Sequence, residues 1–238
     1  MQFSNEKPQA CSFCKQRPAT AKYTRAGRTE MVCATCVDRL EVQDAFERKA
    51  RDIFDDPVMN EQYDEAIACL DAFLEVNRHR DHDKWLARSI ASARSLILFD
   101  AGRYAEAEHA CEAWAELGFA DVGERWEHGF ETARTLDALG RTREGLAVLE
   151  DALSYRDPKY VPGAWSHLVK LAELSEKLGQ PVDPKWRSLA EEVAGSCGVE
   201  MPKHESLGKA IHELAEALRK TQAMRRGEGE GSDDEDEP

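Results

Sequence analysis

Cys11, Cys14, Cys33 and Cys36 form two Cys-x2-Cys pairs separated by eighteen residues. Nothing else in the chain constrains the fold so tightly, because thiolates at this spacing close tetrahedrally around one zinc ion. Disulfides are the competing reading. The first twenty residues hold no apolar segment or cleavage-like site of a secretory signal, so the expected compartment is the reducing cytoplasm, where such thiols bind metal. Four protein ligands leave no position for a catalytic water, which argues for a structural ion in a binding module and against an enzyme. Cys69, Cys111 and Cys197 stand singly in helical stretches and read as small buried apolar side chains.

Between the pairs, Tyr23 and the couple Met31 and Val32 flank a turn at Ala26-Gly27-Arg28, which predicts a short hairpin. The second pair runs into Val37 and Leu40 at helical spacing. Knuckle, hairpin, knuckle, helix is the order of a treble-clef-like zinc finger. A domain of about forty residues buries too little surface to fold unaided, so the metal would supply most of its folding free energy.

The stretch Cys11-Ser12-Phe13-Cys14, followed after eighteen residues by Val32-Cys33-Ala34-Thr35-Cys36-Val37-Asp38, resembles the N-terminal four-cysteine zinc-binding domain of the ClpX unfoldase. The resemblance spans about residues 9–42. It implies that the four cysteines are zinc ligands, that Phe13, Val32, Val37 and Leu40 serve a small core or a dimer contact, and that the domain dimerises and captures substrates or adaptors. The chain departs from that family at Lys15, where a glycine is usual. It also lacks a Gly-x4-Gly-Lys-Ser/Thr phosphate loop, Gly208-Lys209 being followed by Ala210, so no nucleotide-driven motor is expected.

The net charge of −14 opposes nucleic-acid binding by the chain as a whole, yet it is unevenly spread. Residues 1–40 carry seven Lys or Arg against three Asp or Glu, while the last eleven carry seven acids. Lys15, Arg17, Lys22, Arg25 and Arg28 therefore keep a nucleic-acid-binding regulator as the alternative reading of the finger. The tail, residues 226–238, has no apolar side chain to offset the entropy of ordering and is expected to be disordered.

From residue 43 to 225 the chain is rich in Ala, Leu, Glu and Arg and reads as all-α. A block recurs there: Gln62-Tyr63-Asp64-Glu65-Ala66, Arg103-Tyr104-Ala105-Glu106-Ala107 and Arg141-Thr142-Arg143-Glu144-Gly145, at spacings of 41 and 38 residues. Each is followed by apolar residues at helical spacing, and Asp100-Ala101-Gly102 and Ala138-Leu139-Gly140 look like turns between paired helices. The pattern resembles tetratricopeptide repeats, in which a small residue lets helices approach closely. Stripes at Val122, Trp126, Phe130 and Ala133, at Trp165, Leu168, Leu171 and Leu174, and at Trp186, Leu189 and Val193 predict further helices, with Leu207, Ile211, Leu214 and Leu218 on a terminal capping helix.

The five tryptophans fall on or beside these stripes and read as core. Arg88, Arg94, Arg125 and Arg134 are candidates to grip an acidic peptide, against a plainly solvated helix face. His79, His82 and Asp83 read as solvent-facing more than as a metal site, His212-Glu213 lacks the second histidine of a zinc-protease helix, and no nucleophile elbow or dinucleotide turn occurs.

The sequence thus predicts a mainly α protein: a treble-clef-like finger at 1–42, a tetratricopeptide-like array at 43–225 and a disordered acidic tail at 226–238. The expected partner is a protein or peptide, with the finger a candidate for homodimer contact, no membrane, and nucleic acid only under the alternative reading of the finger. The expected cofactor is Zn2+ on Cys11, Cys14, Cys33 and Cys36.

Overall fold

The computed structural model describes residues 9–25, 27–54, 58 and 61–227, in two compact units, Met1–Arg103 and Tyr104–Pro238. The first begins with the antiparallel strands β1 (Ala21–Arg25) and β2 (Arg28–Val32), paired in register from Ala21 with Val32 to Arg25 with Arg28. Gly27 (φ 75°) supplies the left-handed residue that so tight a reversal needs. Helix α1 (Ala34–Ile53) follows directly, then α2 (Tyr63–Asn77) and α3 (Trp85–Asp100).

The boundary expected at residue 42 falls inside α1, which serves two cores in succession. Leu40 joins Cys11, Val32, Cys33 and Cys36 in the finger's small cluster. Val42, Phe46 and Ile53 instead bury against Ala66 and Leu70 of α2 and Leu86, Ile90 and Ile97 of α3. Phe46 meets the Trp85 ring edge-on at 5.7 Å and the tilted Phe73 ring at 5.9 Å, contacts that add to area burial.

The regular elements among the second unit's described residues are all helices: α4 (Tyr104–Glu116), α5 (Val122–Ala138), α6 (Thr142–Ser154), α7 (Trp165–Lys177), α8 (Arg187–Cys197) and α9 (Leu207–Gly227). Short 3-10 turns precede α7 and α8, and Asp183 caps the second of these by accepting from the Lys185 amide. Leu207, Ile211, Leu214 and Leu218 bury one face of α9, which packs on α7 and α8. Residues 226 and 227, assigned to the tail on sequence, continue α9; residues 228–238 lie outside the described part.

The recurring blocks open helices, with α2, α4 and α6 starting at Tyr63, Tyr104 and Thr142. Their small residues Ala66, Ala107 and Gly145 are buried, as are Leu70, Cys111 and Leu149 one turn on. α3 and α5 end alike. The Arg103 amide donates to Leu98 O and the Arg141 amide to Leu136 O, at 2.9 and 2.8 Å, around left-handed Gly102 and Gly140, the Schellman arrangement. In the third block Thr142 replaces the aromatic and donates its hydroxyl to Asp137 at 2.8 Å.

Asp137 is the polar hub of the second unit, accepting also from Lys177 at 2.6 Å and Lys170 at 3.4 Å, so α5, α6 and α7 meet on one largely buried carboxylate. Burial acts to raise its pKa, but the hydrogen bonds from Lys177 and Thr142 and the charge of Lys170 outweigh it and hold the pKa below the usual carboxylate range. Asp137→Ala leaves Lys170 in a partly buried site without this partner, and should cost about 2–3 kcal/mol, read as a lower urea midpoint for the second unit.

His167 adds a second loss of stability on acidification, at higher pH than that of Asp137. His167 is buried beside Trp126 and Phe130, ring centroids 6.0 and 5.4 Å away, and its Nε2 has no hydrogen-bond partner among the described residues. Desolvation holds it below its ordinary 6.5, and half-buried His128 moves the same way for the same reason. The unfolded chain binds a proton near 6.5 that the folded chain refuses, so the stability contributed by the neutral ring is complete above that pH and falls as pH drops below it. Urea titrations at about pH 7.5 and about pH 5.5 should show this loss, and His167→Leu should shrink it.

Candidate metal centre

The finger's backbone builds the site from two sides. The first knuckle is folded by the Cys11 amide donating to Arg17 O at 2.8 Å and by the Lys15 amide donating back to Cys11 O at 3.0 Å. Lys15 takes a left-handed φ of 59° to do so, which explains why glycine suits this place in similar knuckles. The Ser12 amide reaches Met31 O and the Thr20 amide Val32 O, both at 2.8 Å, tying the knuckle to the hairpin that delivers Cys33. Cys33 then caps α1, with Cys36 and Val37 amides donating to its carbonyl at 3.0 Å.

All four Sγ atoms lie within 4.8 Å of one another, and Cys14 and Cys33 are 3.9 Å apart. A regular tetrahedron with metal–sulfur bonds of about 2.3 Å has edges of about 3.8 Å, so the thiols sit at ligand spacing. They are too far apart for a disulfide, whose sulfurs approach to about 2.05 Å. Cys11, Cys33 and Cys36 are buried and Cys14 is half-buried.

The electrostatics suit a cation. Burial acts upward on Cys11, but the amides of Cys14, Cys33 and Phe13 more than compensate and bring its thiol down to about 6. Cys14 is lowered chiefly by the Gln16 amide. Cys36 moves far up through burial and the neighbouring sulfurs. Without a cation the cage favours some thiolates and resists the last; a divalent ion removes that conflict. The helix N-terminus at Cys33 adds positive potential toward the thiolates.

Around the cage, Phe13 is 44% exposed with the Arg39 guanidinium 5.3 Å from its ring centroid. Lys15, Arg17, Lys22 and Arg28 are exposed; the side chain of Arg25 lies outside the described residues. Among the described residues no other group of His, Cys, Asp or Glu is placed to hold a metal. Cys111 is buried, and Cys69 and Cys197 are half-buried. His82 faces Asp38 of α1 at 3.3 Å and Asp83 pairs with Arg39, so the His79 segment is attached to α1 and forms no site of its own.

The candidate peptide-gripping arginines are otherwise engaged. Arg88 is buried and donates to Asp83 O at 2.8 Å, Arg94 pairs with Asp71, and Arg134 pairs with Glu131. Arg125 stacks on Tyr155 at 3.7 Å and pairs with Asp151 at 3.8 Å. They brace the helices. Trp114, Trp126 and Trp186 are buried, their indole nitrogens donating to Glu124, Tyr155 O and Glu150, and Trp85 and Trp165 are half-buried in the cores. What sequence reasoning missed is the acidic and basic face of α1, Asp38, Arg39 and Glu41, whose partners lie some forty residues away and give no local signal.

No described helix is long and apolar enough to cross a membrane. No family model matches the chain, and no curated protein matches it. Two solved structures are similar: the nearly identical TPR-like repeats of a protein described as a kinesin light chain of Podosopora anserina, and a single-substitution form of it. Each is 18% identical, with a TM-score of 0.49, covering 79% of this chain and 97% of that one. The helix pairs are assigned from the recurrence within this chain, in its block starts, small buried residues and turns.

Proposed function

We propose that this chain is a non-enzymatic adaptor in which a zinc-stapled finger makes one protein contact and tetratricopeptide-like helix pairs make another. The closed cage of four thiols carries the reading. Four sulfur donors at tetrahedral spacing suit zinc, and with all positions filled by protein the ion would preorganise a surface and activate no water. Cys11, Cys14, Cys33 and Cys36 would hold it. The exposed Phe13 beside Arg39 gives the finger an apolar and cationic face suited to an unfolded segment or a second copy. Stacked helix pairs offer an extended face for a further partner, and two modest contacts on one chain raise avidity.

The test has three readouts. Elemental analysis of purified protein should give about one zinc per chain. Light scattering with and without a chelator reports whether self-association needs the metal. Affinity capture beside a Cys11→Ser, Cys33→Ser variant assigns partners: those lost belong to the finger, those retained to the helices. Metal-free protein that captures the same partners would overturn the reading.

A second reading is favoured by one observation, the exposed Lys15, Arg17, Lys22 and Arg28 against two exposed acids, Glu30 and Glu41, on the described finger. Nucleic-acid binding through them should weaken with salt by a log–log slope of about −0.7 to −0.9 per phosphate contacted. Apolar capture of protein should not.

A further inference from the structure

Two of the cage's ligands begin the helix that supports the first helix pair. Cys33 is the N-cap of α1 and Cys36 lies in its first turn, yet no side chain caps that turn and it contains no acid. The first turn of a helix is its costly step, since several residues are fixed for few hydrogen bonds. Here the ordered knuckle fixes Cys33 and Cys36 in advance.

One turn further on, α1 grips the segment joining α2 to α3. Arg80 pairs with Glu41 and, at 3.5 Å, with Asp38; His82 reaches Asp38 at 3.3 Å; Arg39 pairs with Asp83. That segment in turn starts α3. The Asp81 carboxylate accepts from the amides of Leu86 and Ala87, each at 2.9 Å, and Asp83 O accepts from Arg88 at 2.8 Å. Beneath this polar strap, Val42, Phe46 and Ile53 form part of the core of α2 and α3.

From this geometry we infer that metal occupancy at the four cysteines governs the order of α2 and α3, so that finger and first helix pair form one cooperative, metal-responsive unit with the Arg78–Asp83 segment as its relay. The inference rests on the zinc reading above. By linkage the coupling runs both ways: whatever loosens the relay must weaken the metal by the same factor.

The full chain is loaded with zinc and followed by hydrogen exchange before and after chelation. Protection should fall about tenfold or more in residues 43–53 and 86–97 together with the finger. Zinc affinity, measured by competition with a chromophoric chelator, should weaken about fivefold or more in Arg80→Ala, a surface change outside the cage. Phe46→Leu, a milder core change, should shift it in the same direction. Zinc bound with unchanged affinity in both variants, and protection lost only within residues 9–40, would overturn this inference and leave the zinc reading intact. No zinc in the purified chain would overturn both.

Discussion

On the zinc reading proposed above, Cys33→Ser should abolish metal binding by the purified protein and leave residues 9–40 without stable structure. Structural zinc contributes about 10–16 kcal/mol of apparent binding free energy in small domains of this kind, and the finger's core is little more than Val32, Leu40 and the cysteines themselves. Cys33 is the most damaging of the four to lose, because it is buried, is a proposed ligand and begins α1. Metal analysis and hydrogen exchange over residues 9–40 read the result. Cys111→Ala is the control. That thiol is equally buried but lies in α4 and is no member of the four-cysteine cluster, so the variant should bind metal as the unaltered chain does and lose only about 1–2 kcal/mol of stability.

Gly145→Val should cost the second unit about 3 kcal/mol or more. α5 and α6 approach so closely that a Cβ on Gly145 would stand 2.7 Å from Ala133 O, and one on Gly129 would stand 2.4 Å from the Cβ of Ala152. The first of these obstacles is backbone, which cannot turn aside as a flexible side chain can. Gly195 in α8 makes the contrast. Nothing lies within 4 Å of its would-be Cβ and its φ is not left-handed, so Gly195→Ala should stabilise by about 0.5–1 kcal/mol. Urea midpoints of the two variants should move in opposite directions.

Local chemistry was legible in the sequence. The knuckle spacing, the hairpin about Gly27, the helix starts at Tyr63, Tyr104 and Thr142 and the turns at Gly102 and Gly140 each depend on residues a few positions apart. The extent of α1 was not legible, because its apolar residues change face between Leu40 and Val42 as one core gives way to another, and a single-stripe reading ends there. The engagement of Arg94, Arg125 and Arg134 was also hidden. An arginine on a helical stretch looks the same whether it faces solvent or an acid such as Asp71, Asp151 or Glu131. The metal cage was complete in four letters; the strap from α1 to Arg80 and Asp83 needed the third dimension.

Sharing one helix between two cores has a consequence for the nascent chain. The cage can close soon after Cys36 leaves the ribosome, whereas Val42, Phe46 and Ile53 wait for Ile97 before their partners are all present. At roughly 5–20 residues per second, that leaves a greasy helical surface uncovered for several seconds on a tethered polypeptide. Early metal loading would hold α1 formed during that interval and limit its chance of meeting the same surface on a neighbouring ribosome.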